Sequence, residues 1–85
     1  MKKSKIEIHH IETCQGQLYF SKLPFLDSHE IDEFNKIGYT GKNSNGERET
    51  YTHYLNSLGK GEFVVECTKF DSEDFCEKFT IVRVI

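Results

Sequence analysis

The chain has 85 residues, 36% of them hydrophobic and 29% charged, with a formal net charge of -3; this is room for one domain, 1–85, near the lower size limit for a self-sufficient core. So small a charge excludes long-range capture of a polyanion and a global mimic of DNA, and no apolar run approaches the roughly 20 residues that cross a bilayer. Alanine and tryptophan are absent while Phe is abundant at seven, a balance that favours strands with short helices.

The lysines of "MKKSK" lead into "IEIHHIETCQ", not the apolar stretch of a signal peptide, so a cytoplasmic protein is expected. In that compartment the odd set Cys14, Cys67 and Cys76, without the tight pairs of a zinc ribbon, reads as reduced thiols. "KIEIHHIETCQGQLYF" alternates with period two and reads as a strand. Gly16 is placed for a three-residue hairpin loop with a bulge over Thr13 to Gly16, which would put Ile6, Ile8, His10, Leu18 and Phe20 on one face.

Pro24 closes the second strand. Asp27 and Glu30 have capping-box spacing, and Ile31, Phe34 and Ile37 recur on one side ahead of Gly38, predicting a helix over 28–37. For the next segment two readings stand. Tyr51, Tyr54, Leu55 and Leu58 have helical spacing and favour a helix over 47–58, whereas "ERETYTHYL" also alternates as a strand would. After "GKG", "EFVVECTKF" and "FCEKFTIVRVI" read as strands joined by "DSED". The expectation is an α+β domain of order ββααββ, a mostly antiparallel four-stranded sheet with two short helices.

A loop centred on Ser72 and Glu73 would pair Phe70 with Phe75, Cys67 with Lys78 and Val65 with Thr80. Phe63, Val65, Cys67, Cys76, Val82 and Val84 would then share one face, and Val64, Phe70, Phe75, Phe79, Ile81 and Ile85 the other. In this register Cys67 and Cys76 are diagonal neighbours near or beyond disulfide reach, hence packed thiols. Both faces are apolar, and two short helices can scarcely cover both. Either the chain wraps both faces, or one is a contact surface. Phe70, Phe75 and Phe79, rimmed by Asp71, Glu73, Asp74 and Glu77, are the candidate partner-binding residues.

Catalytic and metal chemistry finds little support. His9 and His10 point to opposite faces of a strand and cannot easily share a metal. A Cys14 and His10 pair lacks a third group. The Gly-Lys pairs of "GYTGKNSNG" and "LGKGE" miss the phosphate-loop spacing. No catalytic residue, metal or cofactor is expected. The expected function is a non-catalytic protein-binding module that occludes or bridges a larger protein, with self-association through sheet edges as a further route. Small chains of this kind are often inhibitors, immunity proteins or anti-defence factors of phages and mobile elements. The alternative is a single-stranded nucleic-acid or nucleotide binder using Tyr19, Phe20 and the N-terminal lysines, which the acids of the final hairpin oppose.

Overall fold

A computed structural model describes residues 5–14, 17–19, 23–70, 72–74 and 76–85. Along the chain run β1 (Ile6–Cys14), β2 (Gln17–Tyr19), α1 (Ser28–Thr40), α2 (Tyr51–Ser57), β3 (Glu62–Phe70) and β4 (Cys76–Val84). The strands lie in the order β2-β1-β4-β3, every neighbouring pair antiparallel. Three nine-residue strands, β1, β4 and β3, form the body of this sheet. The expectation of four full strands in the order ββααββ is therefore corrected to three strands in the order βααββ, because β2 is only a three-residue fringe opposite the end of β1. By Leu23 and Leu26 the chain has left the sheet, since both are buried in the core with the helices. Cys14 pairs with Gln17; the expected bulged loop falls on Gln15 and Gly16, which, with Phe20, lie outside the described residues.

The cap of α1 forms as its residues dictate. Asp27 Oδ1 accepts from the Glu30 N–H at 2.8 Å, and Glu30 Oε1 accepts from the Asp27 N–H at 3.0 Å. The helix passes through Gly38 and ends three residues later than expected. Gly41 is the residue that adopts the left-handed conformation, φ 72°, and its N–H bonds Ile37 O at 2.7 Å; the terminator is the glycine that takes that conformation, not the first glycine met. Helix α2 is shorter than the expected 47–58. Thr50 accepts from the His53 N–H and caps it, while Arg48 is drawn into a bridge with Lys42 across the preceding turn.

The core lies between the two helices and one face of the sheet. Ile11, Phe63 and Ile81 from the strands meet Phe34, Ile37, Tyr51 and Leu55 from the helices. Phe34 and Tyr51 stack at 4.0 Å between centroids, and Phe79 meets Tyr51 edge-on at 5.2 Å. Each such side chain contributes about 1.5–3 kcal/mol on burial. Arg83 closes one end of the core. Its guanidinium lies 4.8 Å from the Phe25 ring centroid, its Nε donates to Lys60 O at 2.8 Å and its Nη1 to Glu7 Oε1 at 3.1 Å.

The β3–β4 register differs from expectation by one residue. Val65 faces Ile81, Cys67 faces Phe79 and Phe70 faces Cys76, with irregularities around Lys69. Five residues separate Phe70 from Cys76, and Asp74 turns the chain with φ 65°. A one-residue shift exchanges the faces of one strand relative to the other. Phe79 and Ile81 therefore join Phe63 under the helices, whereas Val82 and Val84 move to the opposite side. Across the irregular stretch at Lys69 the Cα atoms of Cys67 and Cys76 lie 5.8 Å apart and the two residues form a disulfide, correcting the expectation of packed thiols.

Candidate protein-contact surface

Alternation along β1, β4 and β3 sends every second side chain away from the helices. The pairings arrange them in rows across the sheet. Ile6, Val84 and Glu62 form one row; Ile8, Val82 and Val64 the next; His10, Thr80 and Glu66 the third. Ile6 is 64% exposed, Ile8 60% and Val64 52%. Leaving large aliphatic groups in water forgoes burial free energy that a domain of this size can scarcely spare. Contiguous apolar surface of this kind marks contact sites.

The expected surplus of apolar surface thus exists, but on different residues. Of the expected set, Phe79 is packed against the core, Phe70 is 60% exposed, and Phe75 lies outside the described residues. Of the acidic rim, Glu73 and Asp74 are exposed on the turn, Glu77 pairs with Lys69 Nζ at 3.3 Å, and Asp71 is outside the described residues. The hairpin end is therefore an acidic tip carrying Phe70. Missed in the sequence were Val82 and Val84, placed on the wrong face by the register, and the row formed by His10 and Glu66. Alternation in "IEIHH" and "EFVVE" carried that signal, and only the pairing of the two strands with β4 was needed to read it.

No protein-family model, curated protein or solved structure matches this chain.

Elsewhere the polar groups hold the fold. His9 Nε2 lies 3.3 Å from Glu7 Oε1, and the ring meets Phe25 edge-on at 5.3 Å. His10 Nδ1 lies 3.1 Å from Thr80 Oγ1 on the opposite face. The bond with His9 and then the Arg83 guanidinium hold the Glu7 carboxyl below its ordinary range. Lys60 Nζ reaches Glu30 Oε1 at 2.6 Å and Phe25 O at 2.8 Å, tying the loop before β3 to the start of α1. A shallow depression beside α2, lined by Gly41, Arg48, Glu49, Thr50 and His53, is wide open, with His53 Nδ1 hydrogen-bonded to Glu49 Oε1. Among the described residues, no group of three or more His, Cys, Asp or Glu side chains is placed to hold a metal ion, and no helix is long and apolar enough to cross a membrane. Among the described side chains of β1, β4 and β3, the outer sheet face carries aliphatic groups with Glu62 and Glu66; Phe20 lies outside the described residues.

Proposed function

We propose that this chain is a non-catalytic protein-binding module, an inhibitor or accessory protein that occludes or bridges a larger protein, and that it works through the uncovered sheet face and the adjoining hairpin tip. The observation that carries this reading is the exposure of Ile6, Ile8 and Val64 beside Val82 and Val84 on a face that no described segment covers. The tip adds an exposed aromatic ring, Phe70, beside the carboxylates of Glu73 and Asp74, a pairing suited to a basic surface with an apolar pocket. A cytoplasmic location belongs to this proposal with one physical condition. Cytosolic thiols reduce ordinary disulfides, so there the β3–β4 hairpin would work without the Cys67–Cys76 link.

Affinity capture from host extract, with wild type, Ile8→Lys and Phe70→Asp in parallel, tests the reading. Both substitutions replace exposed side chains, so the variants should keep the wild-type far-ultraviolet spectrum. Loss of a captured protein by either variant is the expected result. Capture unchanged by both would refute the assignment of the contact to these surfaces.

A further inference from the structure

We infer that the uncovered sheet face is covered by a second copy of this chain, packed face to face about a two-fold axis parallel to β4. The inference rests on the proposed reading of that face as a protein contact and names its occupant. The warrant is that two of the three rows of this face are self-complementary in one arrangement, whereas the other arrangement brings carboxylates together.

Two-fold packing of one sheet face on itself allows two nearly aligned arrangements, because stacked sheets keep their strands within about 30° of each other. With the axis parallel to β4, each row meets the same row of the other copy reversed from side to side. Ile8 then meets Val64 and Val64 meets Ile8, Val82 and Val84 meet their own counterparts, His10 meets Glu66 twice, and at the end of the face Ile6 meets Glu62 twice, where the carboxylates stay at the solvated margin of the contact. With the axis in the sheet plane but perpendicular to β4 through Val82, rows exchange end for end and strands meet themselves. Glu66 then meets Glu62 twice, two carboxylate pairs with no cation between them, while His10 meets Ile6. Like charges brought together at an interface are costly and suppress that pairing. The imidazole of His10 can donate a hydrogen bond to the Glu66 carboxylate in the first arrangement, whereas the second doubles carboxylates, and this difference selects the parallel axis.

The available area fits a small dimer. Nine residues of β4 at about 3.3 Å each, across three strands about 4.8 Å apart, give a flat footprint of about 420 Å². Side-chain relief raises this toward the ~600 Å² per partner at the lower bound of specific interfaces, which is about a tenth of the 6143 Å² surface of the chain. The arrangement leaves both hairpin tips at the same end of the dimer, so that two Phe70-bearing tips face a larger protein together.

The test is sedimentation equilibrium of the full chain over a dilution series into the high micromolar range. The expected result is twice the chain mass at the concentrated end. Ile8→Lys and Val64→Lys should each raise the dissociation constant at least about tenfold with the far-ultraviolet spectrum unchanged. His10→Glu should weaken association, and Glu66→Lys added to it should restore dimerisation, which a fold defect in either single variant could not produce. A wild-type chain that stays monomeric throughout overturns the inference. If capture of a larger protein is nevertheless lost in Ile8→Lys, the face remains a contact surface with a different occupant; if capture also ignores Ile8→Lys and Val64→Lys, the reading of the face as a contact falls as well. A dimer indifferent to Ile8→Lys and Val64→Lys likewise overturns the inference.

Discussion

Removing the hydroxyl of Tyr51 should stabilise the protein. The side chain is 8% exposed, its ring stacks on Phe34 at 4.0 Å and receives Phe79 edge-on, and its Oη is buried without a hydrogen-bond partner. Burial pushes the phenol far above its ordinary titration range, the same desolvation seen from the proton's side. A buried hydroxyl without a partner costs about 1–3 kcal/mol. Tyr51→Phe removes that cost, keeps the ring in place and opens no cavity large enough to offset it, so a gain of about 1–2 kcal/mol is expected. For a domain of this length that raises the melting temperature by about 5–10 °C. Urea titration at constant temperature gives the free energy, and calorimetry gives the melting temperature. The control is Tyr54→Phe. Tyr54 Oη donates to Glu30 O at 3.2 Å, so its removal should cost about 0.5–1.5 kcal/mol. A Tyr51→Phe protein no more stable than wild type would refute the orphan-hydroxyl argument, and parallel losses in the two variants would show that both hydroxyls are satisfied.

Reducing the Cys67–Cys76 disulfide, which closes a loop with a sequence separation of 9, should lower stability by about 2.5 kcal/mol on chain-entropy grounds, seen as a lower urea midpoint in dithiothreitol and in the Cys67→Ser, Cys76→Ser double variant. Gly61 has φ +127°, and a Cβ there would lie 2.8 Å from Val84 O; Gly61→Ala should destabilise the fold by at least about 1–3 kcal/mol, whereas Gly46→Ala, with nothing within 4 Å, should cost less, the two being ranked by thermal melts. The Lys60 ammonium and then the Asp27 N–H hold the Glu30 carboxyl below its ordinary value of 4.5. Above that value both folded and unfolded chains are ionised and the contribution is complete; as pH falls below it the unfolded chain takes up the proton first, so stability declines until the folded carboxyl is protonated too. Glu30→Gln should flatten the fall of stability between about pH 5 and pH 3, as read from melting temperatures across that range.

Local signals carried much of the architecture. Asp27 and Glu30 announced the start of α1 because a capping box is a short-range device, complete within four residues. Composition announced β3 and β4, and the count of apolar positions showed that two helices could scarcely cover both faces, without deciding whether the chain wraps both or leaves one bare. What the chain did not disclose locally was register. Loop length decides which residue faces which, and with five residues after Phe70 the partners of Val65, Cys67 and Phe70 on β4 move by one, with irregular pairing at Lys69. That single step sent Phe79 into the core and turned Val82 and Val84 outward, while the irregular pairing at Lys69 brought Cys67 and Cys76 within bonding distance. The shortness of β2 was likewise hidden, because the pull of Leu23 and Leu26 toward the helices is a tertiary effect. Gly38 misled for a related reason, since a glycine inside a helix costs only about 1 kcal/mol.

Asn56 sets a limit on how copies of this chain can accumulate. Its side-chain oxygen accepts from the Phe63 N–H at 2.7 Å and its amide donates to Phe63 O at 3.2 Å, so a helix residue occupies the place on the rim of β3 where the next strand of another molecule would dock. Head-to-tail strand addition at a free rim repeats without end and yields fibres, whereas pairing about a two-fold axis stops at two. One amide side chain thereby biases this small protein toward finite assemblies, and a chain lacking it would expose a longer template for open-ended growth.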